Sequence, residues 1–281
     1  GKERVIGLQM PERHSSGETL GLSGLLAAHL GIETVVWDIT PVLEAVGFYD
    51  RYDAAVRAAV PEYGPGWRSK IVVPEIAEDA RLTVFSVVAE ALDGRVYRKR
   101  LDLKAYLAIV AATNFKQRIR KMLEYYHADL HNYAVAGTPN RLEYDQGFFV
   151  KLGDGAADLK PIAHLYKTQV YALAKFLDLP EEIIRRPPTT DTYSLPQGQD
   201  EFYFSAPYEV MDLCLFGKNN GLAPGEVARV SGVPPERVSA IYQDIDRKRA
   251  ATRYLHLPPV LAGEILEIGR GSGAAGRRSA E

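Results

Sequence analysis

The first sixty residues alternate between short β-forming runs and helix-spaced segments, with short connections between them. Residues 4–9, "RVIGLQ", form an apolar run rich in β-formers, and leucines with helical spacing follow between residues 20 and 30. Gly31 is placed to end that helix, because glycine readily takes the left-handed conformation of a C-cap. "ETVVWDI" is the next strand, and the helical stretch after it is interrupted near Gly47. This alternation predicts an α/β fold with a doubly wound parallel sheet and flanking helices.

A hairpin interrupts the α/β pattern, and helices follow it. "LTVFSVVAE" and "RVYRKRLD" flank "ALDG", which predicts a small hairpin insertion. Helical spacing returns from Leu103 to about His127, another helix is predicted from Lys167 to Leu177, and three amphipathic segments predict a helical C-terminal part. One apolar stripe is expected on the first of these helices, formed by Leu103, Leu107, Val110, Phe115, Ile119, Met122 and Tyr126. Residues 1–262 are predicted to form one domain, and the small, polar residues 263–281 a disordered tail.

Composition restricts the binding partners and the cellular compartment that are expected for this protein. A formal net charge of -2 argues against bulk attraction to nucleic acid or to an anionic membrane. No apolar run approaches the roughly 18 residues that cross a bilayer. Cys214, the one cysteine, cannot form an internal disulfide, which favours a reducing cytoplasm.

Polar side chains that could hold an anion are concentrated in the middle third of the chain. Asn114, Arg118 and Lys121 share one helix face, which is either a solvated basic face or an anion-facing surface beside a pocket. Thr138 closes the short apolar run "NYAVAG", and parallel sheets place ligand crevices at strand ends, although threonine is also a common turn former there. Glu143 is either a solvated carboxylate or a Mg²⁺ ligand beside phosphates.

The run "KLGDGAADLKP" combines turn glycines with alternating charges. Gly153 and Gly155 permit positive φ angles and let a ligand approach the backbone closely. Lys151, Asp154 and Asp158 are either ion-paired on a surface turn or ligand contacts.

Two further positions follow this run. Lys167 starts a predicted helix, where a cation is unfavourable unless an anion shares the site, so its side chain and the first amides are expected to form a phosphate cradle. Thr168 is a candidate cap for that helix. "RRPPTTD" presents Thr189 and Asp191 behind two prolines, and the six histidines are interpreted as structural because they lack a zinc-ligand spacing.

Read in order, these segments resemble the NAD synthetase family. "NFKQRIRKM", "AGTPNRLE", "GFFVKLGDGAAD", "PIAHLYKTQ" and "PPTTD" keep the order and spacing of the family's linked motifs over residues 114–191. Any one of these motifs is weak evidence, whereas the linked set is specific. The resemblance implies the doubly wound α/β fold of the PP-loop ATP pyrophosphatases.

The resemblance also implies an ammonia-dependent ligase that uses ATP, Mg²⁺ and deamido-NAD. ATP would adenylylate the nicotinate carboxylate with release of pyrophosphate, and ammonia would attack the acyl-adenylate to give NAD and AMP. By resemblance, Thr138, Lys167 and Thr189 contact ATP, and Glu143 binds Mg²⁺. The implied deamido-NAD contacts are Arg118, Lys151, Asp158, Arg247 and Lys248, and the implied catalytic pair is Lys167 and Asp158.

Departures from the family pattern leave alternatives open. The family's phosphate loop, S-G-G-x-D-S, would precede residue 1, so the chain is interpreted as truncated at its N-terminus and inactive without that loop. Val150 replaces the Thr of F-T-K, and Pro139 stiffens G-T-x-N, changes that could retune the choice of acid. The alternatives are an amide ligase for another carboxylic acid and a non-catalytic nucleotide-binding or assembly domain.

Two partners are also implied. Ammonia would arrive free or from a separate glutaminase, because Cys214 has no suitable Glu and Lys near it in sequence. The family resemblance implies a homodimer, and the apolar stripe that begins at Leu103 is a candidate dimer surface, with core packing as the alternative.

Overall fold

The computed structural model describes residues 1–73, 85–190, 192–204, 206–263 and 265. The predicted tail falls almost entirely on residues 264 and 266–281, which lie outside the described residues, as does Asp191. The domain boundary at residue 262 therefore stays a prediction.

The N-terminal part forms the predicted strand–helix–strand unit. β1 (Ile6–Gln9) pairs in parallel with β2 (Glu33–Val36), and α1 (Gly17–Leu30) connects them. The Ser16 hydroxyl accepts a hydrogen bond from the Glu18 amide at the start of α1, and Gly31 ends it with a φ of 63°. α2 (Thr40–Ala45) and α3 (Phe48–Ala59) then meet at Gly47, whose φ is 68°. The predicted α/β fold and both glycine breaks are confirmed.

The predicted strand before Thr138 is shorter than its sequence suggests. It contributes one parallel bridge, between Ala136 and Leu159. Gly137 donates its amide to Leu159 O, but Pro139 has no amide to donate and Asn140 already caps the next helix. The bridge therefore cannot extend into a regular ladder.

The hairpin insertion is confirmed and is larger than predicted. β4 (Ser86–Glu90) and β5 (Val96–Arg100) form the hairpin, and β3 (Arg68–Val72) adds to it in antiparallel orientation. Residues 82–84 of the predicted first strand lie outside the described residues.

α4 (Leu103–His131) is the predicted long helix, and Asp102 caps it by accepting the Ala105 amide. The prediction of one apolar stripe along it is wrong. Ile109 and Ile119 are buried, whereas Leu107 and Met122 are 53% and 56% exposed. The predicted set mixes two faces, because the five-residue step from Val110 to Phe115 rotates the later members by about 100° around the helix relative to a four-residue step.

The remaining helices build a second apolar cluster. α5 (Arg141–Gln146), α6 (Lys167–Phe176) and α7 (Glu181–Ile184) precede α8 (Tyr208–Asn219), α9 (Pro224–Ser231) and α10 (Pro235–Thr252). Helices α8, α9 and α10 confirm the three predicted C-terminal helices. Met211, Leu215, Ile241 and Ile245 are buried among them, while Phe48, Tyr52 and Ile109 belong to the first cluster, around α3 and α4.

Candidate active site

A crevice of about 450 Å³ lies where the two apolar clusters meet. Its walls come from α4, from residues 138–154, from residues 189–203 and from residues 254–255, after α10. Phe202 belongs to the first cluster and Phe148 to the second, and both line the crevice. The predicted site residues in its lining are Arg118, Thr138, Glu143, Lys151 and Thr189.

Glu143 is held rigidly at the start of α5. Asn140 and Glu143 form a capping box, in which Glu143 Oε2 accepts the Asn140 amide at 2.9 Å. Glu143 Oε1 accepts a hydrogen bond from Gln199 Nε2 at 2.9 Å, and Lys167 Nζ lies 3.9 Å from the same oxygen. The N-x-x-E pattern alone could have predicted the box, whereas Gln199 shows no signal in sequence.

Lys167 therefore lies beside Glu143 without lining the crevice itself, and the amide cradle expected at the start of α6 is absent from the described structure. The backbone amides of Lys167 and Thr168 donate to Asp212 Oδ1 and Oδ2 at 3.2 and 2.7 Å. Asp212 is buried, and burial raises the pKa of its carboxyl group. This carboxylate from α8 occupies the first two donors of the helix, so the amides cannot also bind phosphate as predicted.

The turn glycines after Lys151 are needed for packing, and neither uses the positive φ angle that glycine permits. Leu152 takes the left-handed conformation, with a φ of 60°. A Cβ atom on Gly155 would lie 2.3 Å from the Phe149 ring, and one on Gly153 would lie 2.9 Å from Gln117 Cβ. The turn is therefore pressed against α4 and against the aromatic wall of the crevice.

Arg118 and Lys151 approach each other across the crevice. Arg118 Nε donates to Lys151 O at 3.4 Å, and Lys151 Nζ donates to Tyr254 O at 3.0 Å and to Leu257 O at 3.5 Å. Asp154 lies in the same wall and accepts the Val150 amide, and burial raises the pKa of its carboxyl group. The crevice thus combines cationic side chains with a carboxyl group shielded from water.

Asp158 lies outside the crevice lining. Its Oδ2 accepts the Val135 amide at 2.7 Å, and its Oδ1 accepts from Tyr125 Oη at 3.4 Å. The carboxylate therefore fastens the turn to the short bridged segment at residue 136. Its predicted contact with a ligand stays untested.

Arg247 and Lys248 also lie outside the lining, on α10. Lys248 Nζ donates to Tyr203 O at 2.5 Å and lies 2.6 Å from Asp244 Oδ2, and burial lowers the pKa of this ammonium group. Arg247 is exposed and lies 3.6 Å from Asp244 Oδ1. Lys248 supports Tyr203, which does line the crevice.

A second cavity of about 590 Å³ adjoins the crevice, and Thr189 and Tyr193 line both. Arg13 and Arg186 lie in its wall together with Glu18 and Asp53, so the cavity presents charges of both signs. His14 is there too, and burial followed by the charge of Lys116 lowers the pKa of its imidazole to about 4. Two ligands bound in the two cavities would therefore meet at Thr189.

The chemistry of the donor set suits a magnesium ion held mainly by a ligand. Among the described residues, no group of three or more His, Cys, Asp or Glu side chains gathers around one point. Glu143 is a single carboxylate on the crevice wall, and each of its oxygens has one hydrogen-bond donor within 3 Å. One carboxylate plus phosphate oxygens and water is a usual coordination for Mg²⁺.

Fold and site together define an α/β protein with a crevice whose lining includes the cationic side chains of Arg118 and Lys151 and the carboxylate of Glu143. A family model for NAD synthase matches residues 89–253, more than half of the chain. The chain belongs to the NAD synthase family, which confirms the resemblance.

The relatives agree with this assignment. An NH₃-dependent NAD⁺ synthetase of Mesorhizobium japonicum is 57% identical over 267 residues, which cover 95% of this chain and 84% of that protein. One of Rhizobium meliloti is 58% identical over 268 residues, which cover 95% and 80%. A solved NH₃-dependent NAD synthetase of Campylobacter jejuni shares the fold, with a TM-score of 0.55 at 22% identity over 92% of this chain and 79% of that one.

Proposed function

We propose that the protein is an ammonia-dependent NAD synthetase. ATP transfers its adenylyl group to the carboxylate of deamido-NAD with release of pyrophosphate, and ammonia displaces AMP from the acyl-adenylate to form the amide and one proton. The observation that supports this best is the convergence of Arg118, Lys151 and Glu143 on one crevice, with Lys167 Nζ 3.9 Å from Glu143. Such a set suits a substrate that carries phosphates beside a carboxylate.

The two adjoining cavities suit a reaction of two substrates. We assign ATP contacts to Thr138, Lys167 and Thr189. Thr189 lies where the cavities join and Thr138 lines the crevice, so ATP would extend from the second cavity into the crevice. Arg118 and Lys151 bind deamido-NAD in the crevice. Asp158, Arg247 and Lys248 would reach that substrate only where it extends beyond the crevice lining, and Asp158 would act with Lys167 on the reacting groups.

Glu143 would hold the magnesium ion. When bound, the ion supplies positive charge that neutralises the phosphates of ATP. Lys167 adds a fixed cation beside the same carboxylate, and Gln199 orients that carboxylate from the other side.

Ammonia reaches this site free or from a separate glutaminase. Cys214 is buried, and burial raises the pKa of its thiol to about 11, which makes it a poor nucleophile for releasing ammonia from glutamine.

We assign the protein to the cytoplasm. Among the described residues, none of the helices combines the length and apolar character that a bilayer span requires.

We also propose a homodimer that forms through exposed apolar side chains of α4. The side chains of Leu103, Leu107, Met122, Tyr126 and Leu130 are each more than half exposed on that helix. Contact with a second copy of the chain would remove apolar surface of this kind from water.

The function is tested by incubating the protein with ATP, Mg²⁺, ammonia and deamido-NAD. NAD, AMP and pyrophosphate in equal amounts are expected. Pyrophosphate released only with a different carboxylic acid would indicate an amide ligase for that acid. Nucleotide binding with no turnover would indicate a non-catalytic domain, and either result would overturn the proposal.

A further inference from the structure

Glu12 and Lys116 form an ion pair that is shut away from water. Lys116 Nζ lies 2.7 Å from Glu12 Oε1, and the two side chains are 1% and 0% exposed. The residues lie 104 positions apart, Glu12 in the loop after β1 and Lys116 in the middle of α4. The pair is separate from every site residue assigned above.

Both groups are also hydrogen-bonded to the surrounding segments. Glu12 Oε2 accepts from Tyr49 Oη at 2.9 Å and from the His14 amide at 3.0 Å. Lys116 Nζ donates to Thr192 O at 2.8 Å. The pair thus joins four parts of the chain, namely the loop after β1, α3, α4 and the segment that follows Thr189.

These segments form the walls of the two cavities. His14, two residues after Glu12, lines the second cavity, and Thr192 lines the crevice. Tyr193, which follows Thr192, lines both. A shift of the pair would therefore change the position of one cavity relative to the other.

Stability does not explain why a charged pair occupies this place. Removing two charges from water carries a desolvation cost that their attraction often only balances, so apolar side chains of similar volume usually serve the fold equally well. The hydrogen bonds give a geometric constraint that apolar contacts would not give, because they fix distances between particular atoms.

We propose that Glu12 and Lys116 are positioning residues. They fix the position of one cavity relative to the other, so that the two substrates meet at Thr189. This inference rests on the proposed function and extends it. A displacement of about 1 Å between reacting groups can lower a rate by about 100-fold. The pair acts through the cavity walls and touches neither substrate.

The test compares the double variant Glu12→Leu/Lys116→Met with the wild type. We expect the double variant to fold with a lower melting temperature, because Tyr49 Oη, the His14 amide and Thr192 O lose these partners, while kcat/KM for ATP falls about 100-fold. The single variants Glu12→Leu and Lys116→Met should each melt earlier still, because they leave one buried charge unpaired. Wild-type kinetics in a folded double variant would overturn the proposal.

A second variant covers the case in which the double variant does not fold. Lys116→Arg keeps the charge, but a planar guanidinium cannot reproduce both short contacts of the ammonium group. It should fold and should show the same loss of kcat/KM, and unchanged kinetics would again count against the inference. Asp246→Asn is the matched control, since it breaks the exposed ion pair between Lys218 and Asp246 on α8 and α10.

The affinity for ATP, measured by calorimetry, separates this proposal from the proposed function. If the wild type binds ATP but makes no NAD, the proposed function fails. Weaker ATP binding by the double variant would then still support the positioning role, and equal binding would refute it. If the wild type does not bind ATP at all, both proposals fail.

Discussion

Lys151 holds its ammonium group between two carbonyl oxygens at the mouth of the crevice. These partners are neutral, so the positive charge is available to an anionic ligand. Among the described residues, Lys151 makes no salt bridge with an acidic side chain. A charge of this kind should contribute to binding the dinucleotide substrate more than to binding ATP, whose contacts we assign to Thr138, Lys167 and Thr189.

The variant Lys151→Met should raise KM for deamido-NAD by about 10- to 100-fold, because a hydrogen bond to a charged group contributes about 1.5–3 kcal/mol. The KM for ATP should change much less, and steady-state kinetics with each substrate varied in turn measure both values. Lys175→Met, on the exposed last turn of α6, is the control and should leave both unchanged. Equal losses for the two substrates would contradict the assignment of Lys151.

His14 makes the stability of the protein depend on pH. Its pKa is lowered to about 4 from 6.5, first by burial and then by the charge of Lys116. The unfolded chain therefore binds a proton near pH 6.5, whereas the folded protein binds it only near pH 4. The stabilisation is complete above pH 6.5 and is lost as the pH falls through this interval.

Urea unfolding at pH 7 and pH 5 measures this effect. The wild type should lose about 2 kcal/mol of unfolding free energy from His14 between these values, and His14→Phe should lose that much less. The phenyl ring keeps the edge contacts of His14 with Phe48 and Tyr49. Parallel pH dependence in the two proteins would show that folding does not lower the pKa of His14.

At the scale of elements, α6 is placed by a side chain from another helix. Asp212 on α8 accepts both of the first α6 amides, so it sets the position from which Lys167 reaches Glu143. The carboxylate also offsets the unfavourable position of a lysine at a helix N-terminus.

The variant Asp212→Asn should destabilise the protein by about 1–2 kcal/mol, because an asparagine offers one acceptor oxygen where two amides need partners. The KM for ATP should also rise, because Asp212 would no longer hold the backbone of Lys167 in place. Thermal unfolding and kinetics measure the two effects. Glu209→Gln, exposed on the same helix, is the control. If Asp212→Asn shows the expected destabilisation but an unchanged KM for ATP, the role of Asp212 is structural only.

At the scale of the whole molecule, α4 contributes to the first apolar cluster and also carries exposed apolar side chains. The exposed residues are Leu103, Leu107, Met122, Tyr126 and Leu130. Arg118 lies on the same helix and lines the crevice, so a partner that covered these side chains would contact a helix of the site.

The variant Met122→Lys should therefore shift the protein from dimer toward monomer in sedimentation experiments, because it places a charge in the proposed apolar interface. Val230→Lys is the control, since Val230 is 73% exposed but lies on α9. A wild type that sediments as a monomer would rule out this dimer surface.

Features that depend on neighbouring residues in the chain were predictable. The breaks at Gly31 and Gly47, the hairpin, the long helix and the three C-terminal helices follow from local spacing and from glycine conformation. The crevice residues Arg118, Glu143 and Lys151 were found because linked motifs keep a fixed order in the family. What failed was the apolar stripe of α4, whose exposed and buried members look alike in sequence.

The sequence by itself determined the α/β class, the family and the side chains available for chemistry, because these depend on local periodicity and on ordered motifs. Only the tertiary structure decided that Asp212 occupies the α6 amides and that Gln199 orients Glu143. It alone decided that Glu12 meets Lys116 away from water. Each of these contacts joins residues more than forty positions apart. Their formation depends on how whole elements pack, and no local pattern of residue types encodes that.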